Sequence, residues 1–175
     1  MKDYISFPPN KNYIMKTVKM QKVLIALDYD PTAKKVAEAG YSLSKTMGAE
    51  VTLLHVVSDP LHYNTYKHIK VMGFAGYNDT VPLILEGMEE LKQESQKFLD
   101  KSKLYLGDKS IKTTIGEGDP AESILMTAKK IKADIIVMGS HSWNWIEKIV
   151  MGSVTEKVLN FTTIPLFIVP VKKKK

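Results

Sequence analysis

Five short, largely apolar segments punctuate the chain at residues 23–27, 51–57, 111–115, 134–138 and 166–169. Each has the length of a strand. Several are near-continuously apolar instead of alternating, the pattern of strands covered on both faces in a parallel sheet. The spans between them show helical spacing. Val36, Ala37, Leu43 and Met47 give one buried face, and Gly48 follows as a terminator. Ile84, Leu85, Met88, Leu91, Phe98 and Leu99 mark a second helix over 83–106, ended by Gly107-Asp108, and Ile124, Leu125, Ala128 and Ile131 mark a third.

The helix starts carry capping signals. Asp30-Pro31 and Asp119-Pro120 each offer an aspartate cap followed by proline at the first helical position. A fourth helix is predicted from Gly152-Ser153 to about Phe161, with Ser153 and Glu156 as a Ser-x-x-Glu capping box. Ile164-Pro165 breaks it before the last strand. The alternation of strand and helix, with long crossovers, predicts an α/β fold with a doubly wound parallel sheet and helices on both faces. In such sheets ligands sit outside the carboxyl ends of the strands, where strand order reverses. Residues 1–20 read as an added N-terminal arm, 21–171 as the domain and 172–175 as a lysine tail.

Composition narrows the function classes. With 175 residues, 44% of them hydrophobic, the chain has the size and apolar content of one globular domain. No apolar run approaches the roughly 20 residues that span a bilayer, and no secretory leader is recognisable, so a cytoplasmic protein is expected. Cysteine is absent, which removes disulfides, thiolate metal sites and cysteine nucleophiles. All 25 basic residues are lysines, so arginine's bidentate fork for phosphates and guanine edges is missing. Residues 1–22 hold five lysines against Asp3 and the tail adds four, while the span between has 16 lysines against 18 acids. The net charge of +6 therefore sits in the ends, and neither a specific nucleic-acid partner nor membrane insertion is expected.

Several motifs resolve into bland roles. Gly116-Glu117-Gly118-Asp119-Pro120-Ala121 matches G-x-G-x-x-G/A, but it follows the third strand, and Asp134 would begin a strand where a ribose ligand should end one. It reads as a tight strand-to-helix turn. The chain has neither a G-x-x-x-x-G-K-[ST] phosphate loop nor a G-x-S-x-G nucleophile elbow. Asp59, His62 and His68 share a long loop, 58–80, without the spacing of a known metal site. His55, inside an apolar strand, is expected as a hydrogen-bonded core histidine.

Residues 138–154 are more informative. The chain leaves the fourth strand through Gly139, loops out, and returns at Gly152-Ser153 to open a helix. Both glycines permit close backbone approach, the helix start presents N–H groups, and Ser140, Ser142 and Ser153 offer hydroxyls, so an anion is a natural guest. On composition alone the opposing reading stays open: Ser153 only caps its helix and Gly139 only turns the chain. Trp143 and Trp145 place two indoles in the same loop, packing locally, lying on the 58–80 loop as a lid, or offering a partner surface.

These stretches together resemble the universal stress protein family. Gly139, then Ser142, then nine residues to Gly152-Ser153 resemble the family's G-x2-G-x9-G-[ST] nucleotide loop. The resemblance extends over about 21–171 and takes in the opening strand ending at Asp28, the Leu54-His55-Val56-Val57 strand, the 116–121 turn, the 152–158 helix start and the 164–169 end strand. It implies strand order 3-2-1-4-5, a homodimer formed along Leu166–Val169, and binding of ATP or another adenine nucleotide. Carried over, Asp28 contacts the adenosine end, and Ala26, Val56 and Met138 flank the adenine. Gly139, Ser142, Gly152 and Ser153 surround ribose and phosphates, with Val154 and Thr155 at the helix start and His141 bordering the loop.

Two positions depart from the family pattern: Ser142 stands for its second glycine, and Asp30 for a common serine. Asp30 beside Asp28 repels phosphates or helps hold magnesium. The expected function is an ATP-binding, homodimeric stress sensor or regulator. With no arginine finger, no evident water-positioning glutamine and no Walker lysine, hydrolysis is expected to be slow or absent. The alternatives are a nucleotide-free module that binds an unidentified protein partner, and a slow magnesium-dependent ATPase using Asp28 and Asp30.

Overall fold

The computed structural model describes residues 20–58, 77–140 and 151–171, the side chains of 77–87 excepted. Expectations for residues 1–19, most of the 58–80 loop with Asp59, His62 and His68, the His141–Trp145 stretch and the tail lie outside the described residues. The element order is β1 (Lys22–Ala26), α1 (Ala33–Met47), β2 (Glu50–Val57), α2 (Tyr77–Leu106), β3 (Lys112–Glu117), α3 (Pro120–Ile131), β4 (Ile135–Gly139), α4 (Ser153–Phe161) and β5 (Leu166–Val169). The strands form one parallel sheet in the order β3-β2-β1-β4-β5, with Ile25 paired to Leu53 on one side and Val137 on the other. This is the expected α/β architecture. No helix among the described residues is long and apolar enough to cross a membrane.

Alternation along the strands builds two cores. Val23, Ile25, Val51, Leu53 and Val137 face α1 and α2, where Val36, Ala37 and Leu99 cover them. Leu24, Leu54, Ile136 and Met138 face α3 and α4 and are covered by Ala121, Ile124, Ala128 and Val158. Full burial of each Leu, Ile or Val contributes about 1.5–3 kcal/mol, which is why these central strands read as unbroken apolar runs. Two glycines mark close approaches. A Cβ at Gly40 of α1 would lie 2.7 Å from Ile25 Cδ1, and one at Gly116 of β3 would lie 2.0 Å from the Ser123 hydroxyl of α3.

Element ends correct the sequence reading in three places. The second helix begins at Tyr77, ahead of the expected Leu83, and runs through Pro82. A proline removes one backbone hydrogen bond at a cost of about 3 kcal/mol, which does not end a helix with 30 residues to hold it. In α1 the cap position falls on Thr32, and Asp30 instead closes a preceding turn. Its carboxylate accepts from the Thr32 N–H over 2.9 Å and its carbonyl from the Ala33 N–H over 2.9 Å. In α4 the cap is Gly152, so Ser153 is the first helical residue and the expected capping box does not form. The α3 start is as expected: Asp119 caps it by accepting from the Glu122 N–H over 2.9 Å, and Gly118 takes a positive φ of 87° in the turn.

Candidate functional site

A cleft of about 760 Å³ opens at the carboxyl ends of β1, β2 and β4. The chain leaves β1 toward β2 on one side, while β4 pairs with β1 on the other, so the cleft lies at the point of strand-order reversal. Of the residues singled out from sequence, Ala26, Asp28, Val56, Met138, Gly139, Gly152, Ser153, Val154 and Thr155 all line it. His141 and Ser142 lie outside the described residues. The volume falls in the range of small-molecule sites, about 300–1,000 Å³.

Each wall has a local cause. Ala26 ends β1, and Leu27 prolongs the ladder by donating its N–H to the Leu54 carbonyl over 2.8 Å. The chain then turns outward, where the Asp28 carboxylate accepts weakly from the Asp30 N–H over 3.4 Å. Thr155, 2% exposed, donates its hydroxyl to the Gly139 carbonyl over 2.9 Å and so fixes the first turn of α4 against the end of β4. With Gly152 as its cap, the α4 N-terminus carries no side-chain acceptor from its cap residue, and the positive end of the helix dipole faces the cleft.

Two helices begin beside this cleft, and they differ electrostatically. At α3 the Asp119 carboxyl is held below its ordinary range, first by the Glu122 N–H and then by the Lys157 ammonium 3.1 Å away. That start is already filled by a carboxylate. At the end of β3, Glu117 pairs with Lys92 of α2 over 3.0 Å. Among the described residues no group of three or more metal-ligating side chains occurs. Asp28 and Asp30 therefore offer a metal at most two carboxylates, and one oxygen of Asp30 is engaged by Thr32. Magnesium bound there would depend on oxygens brought by phosphates.

Sequence reasoning missed part of the lining: Leu27, Tyr29, Leu91, Ser95, Pro120 and Ile124. Leu91, expected on the buried face of α2, is 46% exposed at the cleft. The signal that could have found these residues is position, since they sit at strand exits or on helices beside them. His55 is the core histidine expected, 7% exposed, with Nδ1 2.8 Å from the Leu27 carbonyl oxygen, and it also lines the cleft. Burial pushes its pKa down, against the opposing pull of the Leu27 carbonyl and the Asp28 charge.

Comparison with known proteins agrees with this architecture. The model of the universal stress protein family matches residues 19–170. Stress response protein NhaX of Bacillus subtilis is 32% identical over 165 residues, covering 85% of this chain and 96% of its own. The solved structure of MJ0577 from Methanocaldococcus jannaschii superposes with a TM-score of 0.68 at 26% identity, over 90% of this chain and all of that one. A universal stress protein from Archaeoglobus fulgidus in complex with dAMP shares the fold, with a TM-score of 0.52 at 15% identity over 86% of this chain and 98% of that one. Through the family match and the NhaX relationship, this chain belongs to the universal stress protein family.

Proposed function

We propose that the chain binds ATP or another adenine nucleotide in this cleft and acts as a homodimeric sensor or regulator with little or no catalysis. One observation carries the reading: the cleft at the strand-order reversal gathers an apolar wall, a carboxylate and an open helix start in one place. Ala26, Val56 and Met138 provide the apolar wall for an adenine, and Asp28 an acceptor for the ribose. Gly139, Gly152 and Ser153, with the N–H groups of Val154 and Thr155, suit the phosphates, joined by Ser142 and His141 of the adjoining loop. The fold accommodates such guests, since the Archaeoglobus fulgidus protein was solved with dAMP. The proposed unit is a domain over 21–171 with an N-terminal arm and lysine tail, located in the cytoplasm, dimerising along β5. Magnesium enters with the phosphates.

The test is mass spectrometry of small molecules released by denaturing freshly purified protein, paired with calorimetric titration of the emptied protein with ATP, ADP and AMP. Nucleotide near one per chain, or saturable binding, supports the reading. An empty protein that ignores nucleotide at millimolar concentration refutes it and favours the protein-interaction module. A turnover above about 1 s⁻¹ would contradict the non-catalytic part.

A further inference from the structure

His55 is buried with one nitrogen committed and the other not. Nδ1 lies 2.8 Å from the Leu27 carbonyl oxygen, which only accepts, so Nδ1 carries the ring hydrogen and the neutral imidazole keeps its lone pair on Nε2. Two aromatic rings fix the plane. Tyr29 meets it edge-on with centroids 4.8 Å apart, and Phe98 of α2 stands at 5.5 Å and 72°. The residue is more than nine-tenths buried, yet no hydrogen bond from the described residues reaches Nε2. No buried side-chain nitrogen or oxygen among those residues is sealed off without a partner. Nε2 therefore keeps contact with solvent, and the space His55 lines is the cleft.

We infer that Nε2 of His55 is a hydrogen-bond acceptor built into the cleft, and that it selects ligands presenting an N–H or O–H donor at that point. A ligand that covers Nε2 without a donor strips its water and returns nothing, while a phosphate or carboxylate oxygen sets lone pair against lone pair. The inference rests on the nucleotide reading above. An adenine nucleotide with ionised phosphates has two kinds of donor to offer, the exocyclic amine and the ribose hydroxyls. Either places the nucleoside end near β2 and leaves the phosphates for α4, where the helix dipole favours them.

The experiment combines titrations with ¹⁵N spectra of the full chain labelled at histidine, His55 being assigned by its loss in His55→Gln. The probes are ATP, purine riboside triphosphate, which lacks the amine, and the 2′-deoxy and 3′-deoxy forms of ATP. On saturation with ATP the Nε2 signal should move from the lone-pair range toward the protonated range. The probe lacking the donor should bind roughly 10-fold more weakly and leave that signal unmoved. The same probe identifies amine or hydroxyl as the source. In His55→Gln the difference between probes should shrink, and the wild-type spectra decide should that variant fold poorly. ATP binding with Nε2 unmoved, or all four probes binding within about twofold, overturns the inference and leaves the nucleotide reading intact. Absence of any ATP binding overturns both.

Discussion

Thr155→Val keeps the outline of a buried side chain and removes its hydroxyl, which isolates what holds the start of α4 against the end of β4. Thr155 is 2% exposed and its Oγ1 donates to the Gly139 carbonyl over 2.9 Å. The net contribution of such a bond is about 1 kcal/mol, and the half-buried Gly139 carbonyl left without this donor raises the cost to about 1–2 kcal/mol. For a chain of this length each kcal/mol lowers Tm by about 2–4 °C. The expected outcome is a loss of about 1–2 kcal/mol in urea unfolding with an unchanged m-value. Thr155→Ser keeps the bond and loses one methyl, about 0.8 kcal/mol of burial, so it controls for packing. The two variants separate on function. Valine frees the α4 start to shift away from Gly139 and should weaken ATP binding several-fold, whereas serine should leave it unchanged. Valine as stable as wild type and binding ATP equally well would refute the view that this bond sets the cleft geometry.

Gly40→Ala sets two effects of opposite sign against each other. Alanine gains about 1 kcal/mol of helix propensity, but its Cβ would lie 2.7 Å from Ile25 Cδ1 and 3.0 Å from Val137 Cγ1, both in fully buried residues, an overpacking of about 1–3 kcal/mol. Net destabilisation is expected in urea unfolding, and a variant more stable than wild type would show that this core yields freely. Burial holds the His55 pKa below the ordinary 6.5, so below that pH the unfolded chain takes up a proton that the folded chain refuses. Its contribution is full above about pH 6.5, declines as pH falls toward the folded pKa, and is flat beneath; wild type and His55→Gln should converge in urea midpoint over that descent. A gap independent of pH would contradict this. At the sheet edge, Phe167 of β5 is 42% exposed on an outermost strand, so Phe167→Lys should shift the proposed dimer toward monomer in sedimentation equilibrium at micromolar concentration. Wild type sedimenting as a monomer would already defeat the dimer.

The strands were legible because burial on both faces writes itself as apolar runs, and only their ends moved by a residue or two. Helix faces were legible where a sheet lies beneath them, as at Val36, Ala37, Ile124 and Ala128. Leu91 was misread for a geometric reason. A 30-residue helix extends about 45 Å, and the eight-residue strand β2 about 26 Å, so α2 outruns the sheet it packs on. Periodicity reports which face is apolar and not how far the opposing surface reaches. Leu91 and Ser95 thus become cleft wall, and Tyr29 and His55 were invisible as lining because nothing local marks them.

The failed capping box is the most instructive difference, because α3 and α4 start at the same end of the sheet with opposite outcomes. At α3 the local rule holds: Asp119 occupies the cap, takes the Glu122 N–H and pairs with Lys157. Its charge satisfies the helix end and repels any further anion. At α4 the chain enters one residue earlier than Ser153 and Glu156 suggest, with Gly152 extended at φ −66° and ψ 151°. Glycine brings no acceptor of its own, and the Ser153 hydroxyl, moved into the helix, is exposed. A cap is worth about 1 kcal/mol to a helix, and a glycine in its place gives up only a few tenths of that. That small concession leaves the N–H groups of the first turn for a ligand, in the one place where Thr155 already anchors the helix to β4. Local rules broken beside a cleft point to function more strongly than the same breach elsewhere. Restoring a carboxylate cap through Gly152→Asp should therefore stabilise or spare the fold while lowering ATP affinity at least 10-fold, by repulsion and by occupying the same N–H groups. Undiminished ATP binding in a folded Gly152→Asp variant would remove the α4 start from the proposed site.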